Sequence, residues 1–123
     1  MKRRTMLKSR IERATVTAVN SGAVDAITID AELLDAADVL DYEQVAVVVV
    51  GSGARFNTYA RAGTRGSGVV RVDGAAARLV GRGDPIAVQS FATTAAFEFD
   101  GYAPRIVSVD ARNQVIPVED GRG

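Results

Sequence analysis

The 123-residue chain contains neither cysteine nor histidine. Without cysteine it can form no disulfide, thiolate metal ligand or thiol nucleophile. Without histidine it lacks the side chain that most often transfers protons near neutral pH and the commonest metal ligand. Acid–base chemistry therefore has to come from carboxylates, tyrosines, lysines, hydroxyl groups or water, and we expect no metal site.

An excess of charge is also missing, because 15 basic residues balance 15 acidic ones. Proteins that bind nucleic acids or anionic membranes usually carry a basic excess. The longest apolar run, residues 45–50, is far shorter than the roughly 20 residues of a membrane-spanning helix. The basic residues 2–4 resemble the start of a signal peptide, but Lys8, Arg10 and Glu12 interrupt the apolar stretch that should follow. We therefore expect a cytoplasmic protein that binds neither nucleic acid nor membrane.

With 47% hydrophobic residues the chain is long enough to bury one core. We expect a single domain over residues 1–123, with loose ends at 1–4 and 119–123. Short β-branched runs separated by glycine turns predict a mostly β fold, a small closed or nearly closed barrel with short helices.

The strands can be placed from their apolar positions. Val45 to Val50 reads as a strand buried on both faces, and the Gly51-Ser52-Gly53 turn leads into a strand over residues 55–60. Further strands are expected at Val69, Val70 and Val72, at Ile86, Val88 and Phe91 behind Pro85, and at Ile106, Val107 and Val109 opposite Val115, Ile116 and Val118.

Two helical segments are expected. Asp30 can cap a helix over residues 31–37, and residues 75–77 open a short helical turn after Gly74. The apolar face of the first helix consists of Leu33, Leu34 and Ala37.

Several stretches, in order and with matching spacing, resemble the pyruvoyl-dependent aspartate 1-decarboxylases, small enzymes that make β-alanine. They are residues 5–9 and 13–17, Ile29-Asp30 with residues 33–37, residues 53–55 with Thr58-Tyr59, residues 65–68 and 74–77, and Gly83-Asp84. The resemblance implies a double-psi β-barrel, assembled as a homotetramer with its active sites between subunits.

Members of that family cut their own chain at a Gly-Ser bond, and the serine becomes a pyruvoyl group that acts as the electron sink for decarboxylation. When the residues between Val16-Thr17 and Ile29-Asp30 are aligned with the family pattern without gaps, the Gly-Ser position falls on Asp25-Ala26. Alanine has no hydroxyl to attack the preceding carbonyl or to become a pyruvoyl group. The sequence therefore predicts an uncleaved chain without this cofactor.

Other positions divide into changed and retained ones. Where the family pattern has tyrosine, lysine, histidine and asparagine, this chain has Ala23, Arg10, Glu12 and Asp73. By resemblance, Arg55 would bind a substrate carboxylate, Tyr59 would donate a proton, and Thr58 would contact the cleavage segment. The backbone amides of Gly74, Ala75 and Ala76 would line the site.

These residues define the predicted site and leave three functions open. The predicted catalytic residues are Tyr59, Asp73, Glu12 and Asp25, and the predicted substrate-binding residues are Arg55, Thr58, Arg10, Gly74, Ala75 and Ala76.

The first function is an enzyme that reuses the pocket without pyruvoyl, by acid–base chemistry on a small carboxylate or carbonyl substrate. A composition rich in Ala, Val, Gly and Arg associates such an enzyme with specialised metabolism. The second is a non-catalytic homologue that binds or supports a partner. The third is a self-processing aspartate 1-decarboxylase cut at Ser21, which requires a shifted register with a gap on each side.

Overall fold

The computed structural model describes residues 3–95 and 101–117. In these two ranges the chain forms eight strands, one α-helix and one 3-10 turn. They are β1 (Arg3–Thr15), β2 (Ala18–Asn20), β3 (Ala26–Asp30), α1 (Ala31–Ala37), β4 (Gln44–Val49), β5 (Arg55–Gly63), β6 (Val70–Asp73), the 3-10 turn (Ala75–Arg78), β7 (Pro85–Ala95) and β8 (Arg105–Ser108).

The eight strands form one mixed sheet in the order β2-β6-β3-β5-β4-β7-β1-β8. Three neighbouring pairs are parallel, namely β1 with β8, β2 with β6 and β3 with β5, and the other pairs are antiparallel. The prediction of a mostly β fold is confirmed, and the arrangement is consistent with the double-psi β-barrel that the resemblance implies.

One hydrophobic core lies against one face of these strands. It includes Ile11 from β1, Ile27 from β3, Val47 from β4, Val72 from β6 and Ile86 from β7, each at most 1% exposed. Burying side chains from five different strands in one cluster stabilises the sheet, because each contributes apolar surface removed from water. The opposite face of β3, β5 and β6 is consequently free to carry polar side chains.

Strand β4 differs from its prediction. Val45, Val47 and Val49 are buried, whereas Ala46 and Val48 are only partly covered. The expectation of a strand buried on both faces was therefore wrong for this chain. Small and branched apolar residues occupy the outer face of β4, so an unbroken apolar run also arises in a strand that covers the core on one side.

Helix α1 is confirmed with the predicted cap. The Asp30 side chain accepts a hydrogen bond from the Glu32 backbone N–H at 2.9 Å, which satisfies one of the free amides at the start of the helix. Asp38 ends the helix in a left-handed conformation, with φ at 57°. The three apolar residues that the sequence assigned to its inner face are buried.

Several other elements follow the sequence, whereas β1, β2 and β3 were not among the strands placed from it. β4 and β5 form the expected antiparallel hairpin, and Gly53 in its turn has φ at 78°, a value that favours glycine. Pro85 is the first residue of β7, where its missing N–H is tolerated. The predicted 3-10 turn after Gly74 is confirmed. Val109 pairs with Val115.

The chain ends were expected to be loose, and the structure describes part of the N-terminal one. Arg3 and Arg4 were expected to be loose, but they begin β1 and pair with Ala95 and Thr94 of β7. Val118, placed by the sequence in the last strand pair, lies outside the described residues, as do the ends at 1–2 and 119–123.

Candidate active site

The candidate site lies on one face of three adjacent strands, β5, β3 and β6. Thr28 of β3 is level with Arg61 of β5 and with Arg71 of β6. Side chains of residues that are level on adjacent strands point to the same face. Arg61, Thr28 and Arg71 therefore form one row across the sheet, here called the arginine row.

A second row lies two residues away on the same face, since side chains two apart along a strand share a face. Ala26 of β3 is level with Asp73 of β6. Ile27 of β3 is level with Ala60 of the parallel strand β5. The residues that precede these two, Ala26 and Tyr59, are therefore level as well. Tyr59, Ala26 and Asp73 form this row, here called the tyrosine row.

Both rows line a cavity of about 530 Å³. The lining is completed by the segment before β3, by one residue of β5 and by one residue of the loop between α1 and β4. These additional residues are Ala23, Val24, Asp25, Tyr42 and Ala62. The position at which the family pattern has its serine, Ala26, thus lies in the cavity wall between a phenol and a carboxylate.

The Asp25 carboxylate is held by the backbone that follows β6. Its Oδ1 atom accepts a hydrogen bond from the Ala75 backbone N–H at 3.0 Å. Gly74 makes this approach possible, since a Cβ atom there would lie 1.9 Å from Asp25 Oδ1 and 2.7 Å from Asp25 Cα. Gly74 also has φ at 88°, a conformation that side-chain-bearing residues rarely adopt. Glycine is therefore required at this position on two separate grounds.

The Asp73 carboxylate is paired with Arg71. Arg71 Nε lies 3.0 Å from Asp73 Oδ1, and Arg71 Nη2 lies 3.2 Å from Asp73 Oδ2. The same Nη2 donates to Thr28 Oγ1 at 3.4 Å. Asp73 is only 5% exposed, so this two-point pairing compensates the loss of water around its charge.

Arg61 is fixed by two neighbours. Its Nε donates to Asp41 Oδ1 at 2.9 Å, and its guanidinium carbon lies 4.1 Å from the centre of the Tyr42 ring, within the range of a cation–π contact. The hydrogen bond from Arg61, together with one from the Ala62 backbone N–H, holds the pKa of Asp41 below its usual range. The same hydrogen bond from Asp41 raises the pKa of Arg61.

The structure brings some predicted residues together. Tyr59, Asp73, Asp25 and Ala26 line one cavity, and Ala75 contacts it through Asp25. Tyr59 is 52% exposed, which leaves its hydroxyl accessible to a ligand. Gly74 and Ala76 flank Ala75 in the segment that holds the Asp25 side chain, but neither of them lines the cavity.

Other predicted residues lie apart from this cavity. Arg55 is exposed and level with Val48 at the far end of β5, four residues and roughly 13 Å along the strand from Tyr59. Arg10 and Glu12 lie on β1, which β7 and β4 separate from β5. They form a partly exposed ion pair, with Arg10 Nε 3.5 Å from Glu12 Oε1.

Thr58 is directed away from the exposed face of β5. It alternates with the exposed Asn57 and Tyr59 and is only 6% exposed. Its Oγ1 atom is buried without a hydrogen-bond partner among the described residues. A site shared between subunits, which the resemblance implies for these residues, remains a prediction.

Sequence reasoning missed four polar residues of the cavity, namely Thr28, Tyr42, Arg61 and Arg71, and the apolar Val24 and Ala62. The two arginines and Thr28 meet only because β3 lies between β5 and β6 in the sheet. No local pattern signals this order, although the alternation of Arg71 and Asp73 with buried valines does indicate a shared face on β6.

Two features are absent from the part of the chain that the structure describes. No group of three or more side chains of the kind that bind metals occurs in residues 3–95 and 101–117. In the same ranges no helix is long and apolar enough to span a membrane.

The chain is similar to known proteins over nearly its whole length. Residues 1–116 match the family described as Aspartate decarboxylase. The chain is also 51% identical over 117 residues to the aspartate 1-decarboxylase of Pelotomaculum thermopropionicum (strain DSM 13744 / JCM 10971 / SI). That alignment covers 95% of this chain and 89% of the relative.

Proposed function

Because the chain belongs to the aspartate decarboxylase family, we propose that it is an enzyme of that family that works without self-cleavage. It uses the cavity between the arginine row and the tyrosine row for acid–base chemistry on a small carboxylate or carbonyl compound. The observation that carries this proposal is the chemistry at residues 25 and 26, where the cavity wall has an aspartate and an alanine.

The residues at this position do not fit a pyruvoyl group. Ala26 begins β3 with a methyl group and no oxygen on its side chain. The preceding Asp25 is tied by its carboxylate to the Ala75 backbone N–H, whereas a glycine would leave that amide free. We therefore derive no reaction step through a pyruvoyl group, and the cavity has to work with its own side chains.

Two side chains of the tyrosine row are suited to acid–base work. The Asp73 carboxylate is fixed in place by Arg71 and can accept a proton from a bound substrate. The Tyr59 hydroxyl, on the other side of Ala26, can donate one. Asp25 adds a second carboxylate to the cavity wall. Glu12 and Arg10, which lie on β1, take no part in this proposal.

A screen for turnover tests this function. The protein is incubated with L-aspartate, oxaloacetate, L-malate and other small carboxylates and carbonyl compounds, and products are followed by NMR. We expect turnover of at least one compound but no β-alanine from L-aspartate. Asp73→Asn should lower that turnover on the order of 100-fold or more, since it removes the proton acceptor and keeps the shape.

Asp38→Asn is the matched control, because Asp38 lies outside the cavity in a left-handed conformation that asparagine also tolerates. It should behave as wild type. A protein that turns over none of the compounds, or an Asp73→Asn variant as active as wild type, contradicts the proposal and favours a non-catalytic homologue. Formation of β-alanine from L-aspartate favours self-processing at Ser21, an exposed residue in the turn after β2.

A further inference from the structure

The arginine row places two guanidinium groups on either side of one hydroxyl. Arg61, Thr28 and Arg71 are level on three neighbouring strands, and all three line the cavity. Neighbouring strands lie roughly 4.8 Å apart, so the Cα atoms of the two arginines are about 10 Å apart. Two long side chains whose Cα atoms are this far apart can both contact one small ligand that lies between them.

Both guanidinium groups are held in place before any ligand arrives. Arg71 uses Nε and Nη2 to bind Asp73 and Thr28, and within residues 3–95 and 101–117 no hydrogen bond engages its Nη1. Arg61 lies over the Tyr42 ring with its Nε on Asp41. Side chains fixed in this way lose little conformational entropy when they bind a ligand.

From this arrangement we infer that the arginine row is the subsite for an anionic group of the substrate, specifically a carboxylate. Planar guanidinium groups match the geometry of a carboxylate, and the Thr28 hydroxyl adds a further donor. Arg71 and Arg61 are the arginines that one chain brings to this cavity, whereas Arg55 of the same chain lies outside it. This inference rests on the proposed function and names its substrate class.

The charge and dimensions of the cavity narrow that class. Asp25 and Asp73 also line the cavity, and Arg71 already offsets the charge of Asp73, so the positive charge left for a ligand at the arginine row suits a singly charged carboxylate better than a phosphate. The two rows are two residues apart, which corresponds to roughly 7 Å along a strand. A compact molecule, with its carboxylate on the arginine row and its reacting end beside Tyr59 and Asp73, spans this distance. Four-carbon dicarboxylates are of suitable length, and the exposed Tyr59 hydroxyl can donate a hydrogen bond to their second carboxylate.

Calorimetric titration with succinate tests the subsite without requiring knowledge of the reaction. Succinamide, which has nearly the same shape and no charge, is the ligand control. We expect wild type to bind succinate and not succinamide. Arg71→Lys should weaken succinate binding about tenfold or more, because one ammonium nitrogen cannot bind Asp73, Thr28 and the ligand at once as the three guanidinium nitrogens can. Arg61→Gln should weaken it severalfold.

Variants of two arginines outside the cavity provide a control for the titration and a test of the alternative site. Arg82→Lys is the matched control, since Arg82 is exposed in a turn outside the cavity, and it should bind succinate as wild type does. Arg55→Lys tests the competing assignment. If Arg55→Lys abolishes binding while the Arg61 and Arg71 variants bind normally, the inference is overturned and the proposed function stands.

If wild type binds no succinate, the inference is overturned, whereas the proposed function is judged separately by the turnover screen. Melting curves establish that each variant is folded. Should Arg71→Lys fail to fold because Asp73 loses its paired donors, Arg61→Gln carries the test alone. The Arg61 side chain is 43% exposed, so its replacement spares the core. Normal succinate binding by Arg61→Gln would then overturn the inference.

Discussion

Two aspartates lie at the two ends of β3 and have opposite roles. Asp30 ends the strand, is 1% exposed, and accepts hydrogen bonds from three backbone amides, those of Glu32, Gly66 and Gly68. Asp25 precedes the strand, is exposed to the cavity, and accepts one such bond, from Ala75. Asp30 is thus structural, because three amides occupy its carboxylate and water is excluded. Asp25 has one amide donor and is exposed, so its carboxylate remains available for chemistry.

The largest loss of stability is expected from removing the buried carboxylate of Asp30. Asp30→Ala deletes the cap of α1, which typically costs about 1 kcal/mol, and leaves the loop amides of Gly66 and Gly68 without an acceptor, at about 1–3 kcal/mol for a buried one. We expect the free energy of unfolding to fall by about 3 kcal/mol in total. Urea unfolding at one fixed protein concentration measures this, with Asp30→Asn as an intermediate. A loss below about 1 kcal/mol would show that water replaces the carboxylate.

The pH dependence of stability should also distinguish the buried Asp30 from the exposed Asp25. Burial alone would raise the pKa of Asp30, but the amides of Gly68, Glu32 and Gly66, aided by the charge of Arg65, lower it below its usual value. A carboxyl whose pKa is lower in the folded state stabilises the protein fully above its unfolded pKa of about 3.9 and loses this effect as the pH falls through the folded pKa. The stability difference between wild type and Asp30→Asn should therefore be constant from pH 7 to pH 5 and shrink below about pH 4.

A smaller effect on stability is expected at the other end of the strand. Asp25→Ala frees an amide that solvent can reach, so the free energy of unfolding should change by less than about 1 kcal/mol. Succinate should bind more tightly to this variant, because a negative charge leaves the cavity wall. Unfolding curves and calorimetric titration measure the two quantities. A destabilisation as large as that of Asp30→Ala would mean that both aspartates are structural.

The comparison also shows what the sequence could predict. Asp30 was recognisable as a helix cap from its position before Leu33 and Leu34, because capping is a local effect within one turn. Its bonds to Gly66 and Gly68 were not, since those residues lie 36 and 38 positions away. The hairpin of β4 and β5 was predictable for the same local reason, whereas the exposed side of β4 was not.

The residues of the site also divide into those that the sequence predicted and those that it did not. Tyr59, Asp73 and Asp25 were predicted through the resemblance, and they line one cavity. Arg61 and Arg71 were missed because they meet across β3, through a strand order that no local pattern specifies. Arg55 was predicted for its family role, and its position in a single chain does not bring it to the cavity. Strand order and register, rather than residue type, decide which polar side chains meet.

A cavity that works in an uncleaved chain requires an intact polypeptide, which mass spectrometry under denaturing conditions detects. We expect one species at the full-length mass, 12.9 kDa for all 123 residues, because Ala26 cannot supply the oxygen for cleavage. Two fragments whose masses add up to the full chain, the second beginning with a pyruvoyl group at residue 21 or 26, would contradict it.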